Sequence, residues 1–199
     1  MDLGRVTAHE PETIRGEERD AAVLVPIVER RSGPCLLFIR RADHLGVHPG
    51  QMSFPGGGRE PRDRTLRETA VRESREEIGL EADEIEFVGR LDDTRTPSGY
   101  AISPFVGHIP DRTYHPDQRE VSDVVILALA DLLDPENYEQ KRRDHPLFGE
   151  STLHFFTVDD VTVWGATGRI LVQFLELSTD WEPPEEAEAV MDRDADPTP

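Results

Sequence analysis

Apolar residues fall along the chain in short runs rather than in long stripes. AAVLVPIVER (21–30) and CLLFIRR (35–41) are rich in branched side chains and separated by Arg31-Ser32-Gly33-Pro34, a turn signal. They predict a hairpin or two neighbouring strands. Pro26 inside the first run predicts an edge position or a bulge, because proline gives no N–H to a ladder. Further runs at 84–91, 101–109, 122–129 and 153–158 predict strands. Helical spacing occurs in two places. One helix starts near Asp63 or Thr65 and ends at Gly79, with Ala70, Val71 and Ile78 as a thin apolar side; the other runs from Ala166 to Ser178 with Ile170, Leu171, Phe174 and Leu175 inward. Thr65 with Glu68 three residues on fits a capping box, and Gly79 fits a C-terminal cap. Strands interspersed with two helices predict an α/β (α+β) fold, a mixed β-sheet covered on both faces.

Residues 1–19 read as a polar extension, a short helix or an arm, and 20–178 as one domain. Residues 179–199, acidic and Pro-rich in WEPPEEAEAVMDRDADPTP, read as a disordered tail. Between the second strand and the first helix lies RADHLGVHPGQMSFPGGG (41–58), punctuated by Gly46, Pro49, Gly50 and Pro55. Connections of that length are functional or disordered. Arg40 and Arg41 before it, and His44 and His48 within it, favour function.

Charge narrows the partners. The chain of 199 residues carries 41 acidic against 22 basic side chains, a net charge of −19, and Lys141 is its only lysine. No basic field exists to meet a nucleic-acid backbone. Such an acidic, lysine-poor surface predicts a halophile-like protein, stable where salt screens its self-repulsion. The single Cys35, in an apolar run, excludes an intrachain disulfide and a multi-cysteine zinc site. Absence of an apolar leader and of any run of 18 apolar residues predicts a cytoplasmic protein with no membrane contact. A homodimer stays open.

The chemistry concentrates on the first helix. At 100° per residue, Glu73, Glu76 and Glu77 fall within an arc of roughly 100°. Carboxylates so crowded suit a hard divalent cation, Mg²⁺ or Mn²⁺. A solvated charged face, supported by Arg–Glu pairs at helical spacing, accounts for the same residues equally well. The preceding PGGG, which brings backbone N–H groups close to the carboxylates, tips the balance to a metal. Of His44, His48, His108, His115, His145 and His154 only His44 and His48 stand four apart, and they lie in the long connection rather than on a predicted helix, which argues against a histidine metal site. Trp164 and Trp181 read as core and tail anchors.

Gly58, Arg72-Glu73, Glu76-Glu77, Gly79 and Leu80 together resemble the box of the Nudix hydrolase superfamily, G-x5-E-x7-R-E-U-x-E-E-x-G-U with U apolar. Two positions depart: Arg64 stands at the isolated glutamate, with Asp63 and Glu60 near enough to substitute, and Ser74 at the apolar position. Leu37–Ala42, Gly50 and Phe54-Pro55-Gly56-Gly57 resemble the signature of the coenzyme A pyrophosphatase branch, with Gly46 where that signature has an arginine. Arg40, Arg41 and Arg59 are the candidates to compensate. TPSGYAISPFVG (96–107), Glu120-Val121 and WGATGRIL (164–171) extend the similarity over residues 20–176.

This resemblance implies a Nudix-type α/β/α sandwich and metal-dependent hydrolysis of a diphosphate linkage in a small nucleotide. Coenzyme A or an acyl-CoA comes first as substrate, with ADP-ribose, dinucleotides or oxidised nucleoside triphosphates as siblings. A non-catalytic nucleotide sensor is a reading of another class, which the intact Glu73, Glu76 and Glu77 disfavour, and isoprenoid diphosphate isomerisation is disfavoured by the loop signature. The resemblance implies Glu73 and Glu77 as metal ligands and Glu76 as a further ligand or the base. It implies Arg72 as their orienting partner and Glu120 as an additional ligand or base. Gly56, Gly57 and Gly58 would admit the diphosphate; Arg40, Arg41, Ser98 and Tyr100 would line its pocket.

Overall fold

In the computed structural model of the chain, which describes residues 1–17, 19–42, 44, 50–145, 149–183 and 189–190, the two predicted apolar runs become β1 (Arg19–Arg30) and β2 (Gly33–Arg41). They pair antiparallel only near their shared turn, from Ile27↔Leu36 to Arg30↔Gly33. Beyond it they part. The opening is filled by the end of the long connection, with β3 (Met52–Ser53) pairing to β2 at Ile39 and Arg40, and β4 (Gly56–Gly58) pairing to β1 at Ala21–Val23. Pro26 sits where β1 changes neighbour from β4 to β2, so the strand is an inner one and not an edge. A residue without an N–H is tolerated there because the ladder on that side is already interrupted.

The chain continues into α2 (Leu66–Ile78), a short 3₁₀ turn at Ala82–Glu84, β5 (Glu86–Arg90), β6 (Thr94–Arg95), β7 (Tyr100–Ile109), β8 (Val121–Ala128) and α3 (Leu129–Leu132). An N-terminal turn, α1 (Gly4–Ala8), precedes β1. β1 runs parallel to β7 over ten residue pairs, while β2–β8 and β5–β7 are antiparallel, which makes an eight-stranded mixed sheet. A smaller antiparallel sheet holds β9 (Tyr138–His145), β10 (Gly149–Val158) and β11 (Val161–Val163), followed by α4 (Gly165–Ser178).

Alternation along β1 and β2 divides the core into two layers. Val25, Ile27, Leu36 and Phe38 pack with Ile170, Leu171, Phe174 and Leu175 of α4 and with Phe156 and Val163 of the small sheet. Leu24, Val28, Leu37 and Ile39 face the other way onto Ile78 and Leu80 at the end of α2. The predicted mixed sheet covered on both faces is therefore the fold observed. Strands β9 and β11 and helix α3 lie outside the predicted elements. YEQKRRDH carries no apolar period, and β9 forms because each of its residues has a partner on β10, Tyr138↔Phe156 to His145↔Gly149.

Residues 1–17 are an arm fastened to the domain rather than a loose extension. Val6 is fully buried, and His9 Nε2 lies 2.8 Å from Asp92 Oδ1, which also accepts the Glu12 N–H at 2.7 Å. Of the acidic tail, Trp181 packs edge-on against Tyr138, and Ala189–Val190 runs parallel to β9; the expectation of disorder for the rest falls outside the described residues. Among the described residues no helix is long and apolar enough to cross a membrane.

Candidate active site

Helix α2 begins where its sequence says it should. Thr65 Oγ1 accepts the Glu68 N–H at 3.2 Å, and Gly79 closes the helix in the left-handed region at φ 66°. The capping box is displaced by one residue: Glu68 Oε2 accepts the N–H of Arg64, not that of Thr65, at 2.8 Å. Three contacts then fasten the glycine turn to the helix. The Gly56 N–H donates to Glu77 Oε2 at 2.9 Å, the Gly58 carbonyl accepts from Arg72 Nη2 at 2.9 Å, and the Glu73 carboxylate lies against Gly57. A Cβ on Gly57 would stand 2.5 Å from Glu73 Oε1; one on Gly56 would stand 2.3 Å from the carbonyl oxygen of Ala22. At Gly56 the backbone of β1 excludes any side chain, whereas at Gly57 a side chain would displace the end of Glu73, a catalytic candidate.

Arg72 organises this face. Its guanidinium is 9 % exposed and meets Asp63 Oδ2 at 2.9 Å, Glu73 Oε1 at 2.8 Å and Glu76 Oε2 at 3.1 Å. Asp63, one residue before the position where the box has its isolated glutamate, is the buried anchor of that arginine. Hydrogen bonding to Arg72 holds its carboxyl well below the usual carboxylate range. Glu60 is a looser partner at 3.8 Å. Arg64 at the box position turns outward to Glu68.

The three helix glutamates part company. Glu77 is buried, and burial raises its pKa well above the ordinary value; the negative charges of Glu73 and Glu120 raise it further, while the Gly56 N–H and Arg41 oppose them. Glu73 is also raised, first by burial, then by Glu76 and Glu120, against Arg72. Glu76 is engaged by two arginines, Arg62 Nη2 at 2.9 Å and Arg72 Nη1 at 3.1 Å, and shares the latter nitrogen with Glu73. Among the described residues no three Asp, Glu, His or Cys side chains are drawn together tightly enough to hold a metal ion. The shared arc of 73, 76 and 77 is real, but Arg62 claims the third member.

Glu120 reaches this place through its loop. The Asp117 N–H donates to the Glu77 carbonyl at 2.8 Å and the Ala42 N–H to the Glu120 carbonyl at 2.9 Å, so residues 117–120 bridge the end of α2 and the end of β2. Arg40 and Arg41 end β2, and Arg41 acts electrostatically on Glu77. Tyr100 lies beside Gly58, and Arg19 Nη1 donates to its hydroxyl at 3.1 Å while stacking on its ring; Arg19 also binds the Ser98 carbonyl. Arg59 spends its guanidinium on the carbonyls of Asp63 and Arg64. Gly46 and His48 fall outside the described residues.

The family model described as NUDIX domain matches residues 18–175. The chain belongs to the Nudix family. Proteins called uncharacterized Nudix hydrolase NudL are similar to it: one from Enterobacter sp. (strain 638) is 36% identical over 159 residues, covering 77% of this chain and 79% of its own. One from Klebsiella pneumoniae (strain ATCC 700721 / MGH 78578) is 38% identical over 160 residues, covering 77% and 80%. A NUDIX hydrolase structure from Nitrosomonas europaea shares the fold with a TM-score of 0.55 and 16% identity, over 89% of this chain and 81% of that one. Membership makes the protein a Nudix pyrophosphohydrolase, of a family whose enzymes generally use divalent cations and small nucleotide substrates. The residues fit such a cation. Glu73 and Glu77 are oxygen donors withdrawn from water, and burial resists the ionisation of both; Glu73 and Glu120 add to it at Glu77, and Glu76 and Glu120 at Glu73, a repulsion that a divalent ion relieves.

Proposed function

We propose that this Nudix enzyme hydrolyses the diphosphate bridge of coenzyme A or an acyl-CoA, releasing 3′,5′-ADP and phosphopantetheine or its acyl form. The observation that carries the reading is the meeting of the branch signature with the box at one carboxylate. Glu77 is held by Gly56 of the FPGG turn and faces Arg41 from the end of β2. Each residue class has a separate task there.

Glu73 and Glu77, with Glu120 in electrostatic reach of both, are the residues that would hold Mg²⁺ or Mn²⁺. The cation supplies neutralisation of the phosphoryl charge and a lowered pKa for the attacking water. Glu120 takes the proton of that water, because Glu76 is engaged by two arginines and Glu120 is exposed at the rim. As the water oxygen bonds to one phosphorus, the bond from that phosphorus to the bridging oxygen breaks, and each half leaves as a phosphate monoester. Gly56, Gly57 and Gly58 let the diphosphate lie against backbone. Arg40 and Arg41 neutralise its far oxygens, and Ser98 and Tyr100 border the nucleotide. Asp63 and Arg72 are positioning residues that hold Gly58 and Glu73 in place.

The test is a substrate panel with Mg²⁺ or Mn²⁺: coenzyme A, acetyl-CoA, ADP-ribose, dinucleotides and nucleoside triphosphates, with products identified by mass. 3′,5′-ADP and phosphopantetheine from coenzyme A at the highest kcat/KM support the proposal. Preferential cleavage of ADP-ribose, a dinucleotide or an oxidised triphosphate replaces the substrate, and inertness towards all of them favours a nucleotide sensor.

A further inference from the structure

The flank of α2 opposite its catalytic edge holds a groove that the reaction does not use. Arg67, Val71 and Arg75 stand on successive turns of one stripe of the helix and face Phe87, Arg90 and Phe105 of strands β5 and β7. The space between them is about 850 Å³, within the range of small-molecule sites, and neither Glu73, Glu77 nor the glycine turn borders it.

Its charge runs against the rest of the molecule. The acidic residues on its wall are already engaged: Asp63 by Arg72, Glu68 by Arg64, and Glu81 by the turn it caps. Among the described residues Arg67 meets no carboxylate, and it lies with its guanidinium 3.8 Å from the centroid of Phe87. Arg75, exposed on the same stripe, has no side-chain ion pair among the described residues. Arg90 is fixed by Asp93 and by Ser103 Oγ at 2.9 Å, leaving its buried Nε without a hydrogen-bond partner. Unpaired guanidinium groups in a chain of net charge −19 face an aromatic floor in which Phe87 and Phe105 meet edge-to-face, centroids 6.3 Å apart. Arginine is suited to phosphate by its planar fork, and an aromatic floor is suited to a base by stacking.

We propose that this groove is a second ligand site, which takes a nucleotide: phosphate at Arg75, and base stacked on the Arg67 guanidinium that lies over Phe87, with Phe105 beside it. The long side chains on α2 span roughly 12 Å of helix axis, enough to bracket a ligand with phosphate at one end and a ring at the other. A bare phosphate would leave the Arg67–Phe87 stack uncovered, and a nucleoside would leave Arg75 unanswered. The site stands independently of which diphosphate the enzyme cleaves.

The probe is AMP, which has no diphosphate to hydrolyse, titrated calorimetrically into the full chain in EDTA, with phosphate and adenosine in parallel. Saturable one-to-one binding of AMP, tighter than of either fragment, is expected. The double variant Arg67→Ala/Arg75→Ala should weaken it by about tenfold or more, the loss of at least one charge-assisted hydrogen bond. Turnover of the diphosphate substrate should remain at the level of the unaltered enzyme. Arg75→Gln alone, at an exposed position, serves as the second variant and should weaken AMP in the same direction. Glu77→Gln should leave AMP binding intact. No saturation at millimolar AMP, unchanged affinity in both arginine variants, or loss of AMP binding in Glu77→Gln would each overturn the proposal.

Discussion

Asp63→Asn removes one charge from the most enclosed ion pair of the site and changes nothing else in size. The carboxylate accepts Arg72 Nε at 3.0 Å and Nη2 at 2.9 Å, Thr69 Oγ1 at 3.0 Å and the Glu60 N–H at 2.9 Å, with side chains 4% and 9% exposed for Asp63 and Arg72. Breaking a buried pair from one side costs ~3–5 kcal/mol where the survivor has no other partner. Arg72 keeps Glu73 at 2.8 Å and Glu76 at 3.1 Å, which softens the loss. The expected cost is therefore about 2–3 kcal/mol, just under that range. For a chain of this length the midpoint of thermal unfolding should fall by roughly 5–10 °C. The pH dependence sharpens the test. The native carboxyl of Asp63 is held below the ordinary range, so its stabilisation is complete above the unfolded pKa, about 3.9, and is lost as pH falls below it. Thermal unfolding of both proteins in EDTA from neutral pH downward should show a constant gap that closes below about pH 4. A drop under about 2 °C at neutral pH, or a gap that persists unchanged into acid, would refute the buried anchor.

Other outcomes follow from the same geometry. Gly57→Ala pushes only the mobile end of Glu73, so stability should change by less than about 1 kcal/mol while a displaced carboxylate lowers kcat by about 10²-fold; Gly56→Ala meets the backbone of β1 and should unfold the protein at much lower denaturant. Glu77 has a raised native pKa, so metal-free stability should fall as pH rises above about 4.3, and Glu77→Gln, which keeps an acceptor for the Gly56 N–H, should be the more stable protein at neutral pH in EDTA and inactive with metal. Chemical denaturation across pH, run on both proteins, checks it, and equal stability at pH 8 counts against the buried charge. Refolding stability should rise between about 0.1 and about 3 M KCl as screening relieves the charge of −19; a flat or falling trend removes the halophile-like reading.

Helix α2 was readable because local chemistry sets both of its ends, Thr65 and Gly79, and because its apolar residues, though few, sit on one side. β1 and β2 were readable from apolar content alone. β9 was not, since a polar strand acquires its structure from its partner β10. β4 is three glycines, and no side-chain pattern announces a strand whose cause is the gap between β1 and β2. In the site, helical spacing put Glu73, Glu76 and Glu77 on one arc, but the direction of Glu76 is decided by Arg62, fourteen residues earlier in the chain. Asp63, one residue before the box's glutamate position, meets Arg72 at the end of the turn from Glu60 to Asp63, which is closed by an N–H···O bond of 2.9 Å. Arg67 and Arg75 looked like ordinary solvent-facing residues of a charged helix; only the position of Phe87 and Phe105 beneath them marks a groove.

The central claim is that two withdrawn carboxylates at the foot of the glycine turn bind the cation of the reaction. Mn²⁺ titrated into the protein at neutral pH, followed by loss of the free-ion paramagnetic resonance signal, tests it most directly. Saturable binding is predicted for the unaltered protein and should be weakened by at least about tenfold in Glu73→Gln and in Glu77→Gln, each losing one anionic oxygen ligand. Undiminished Mn²⁺ binding in both variants would contradict the account.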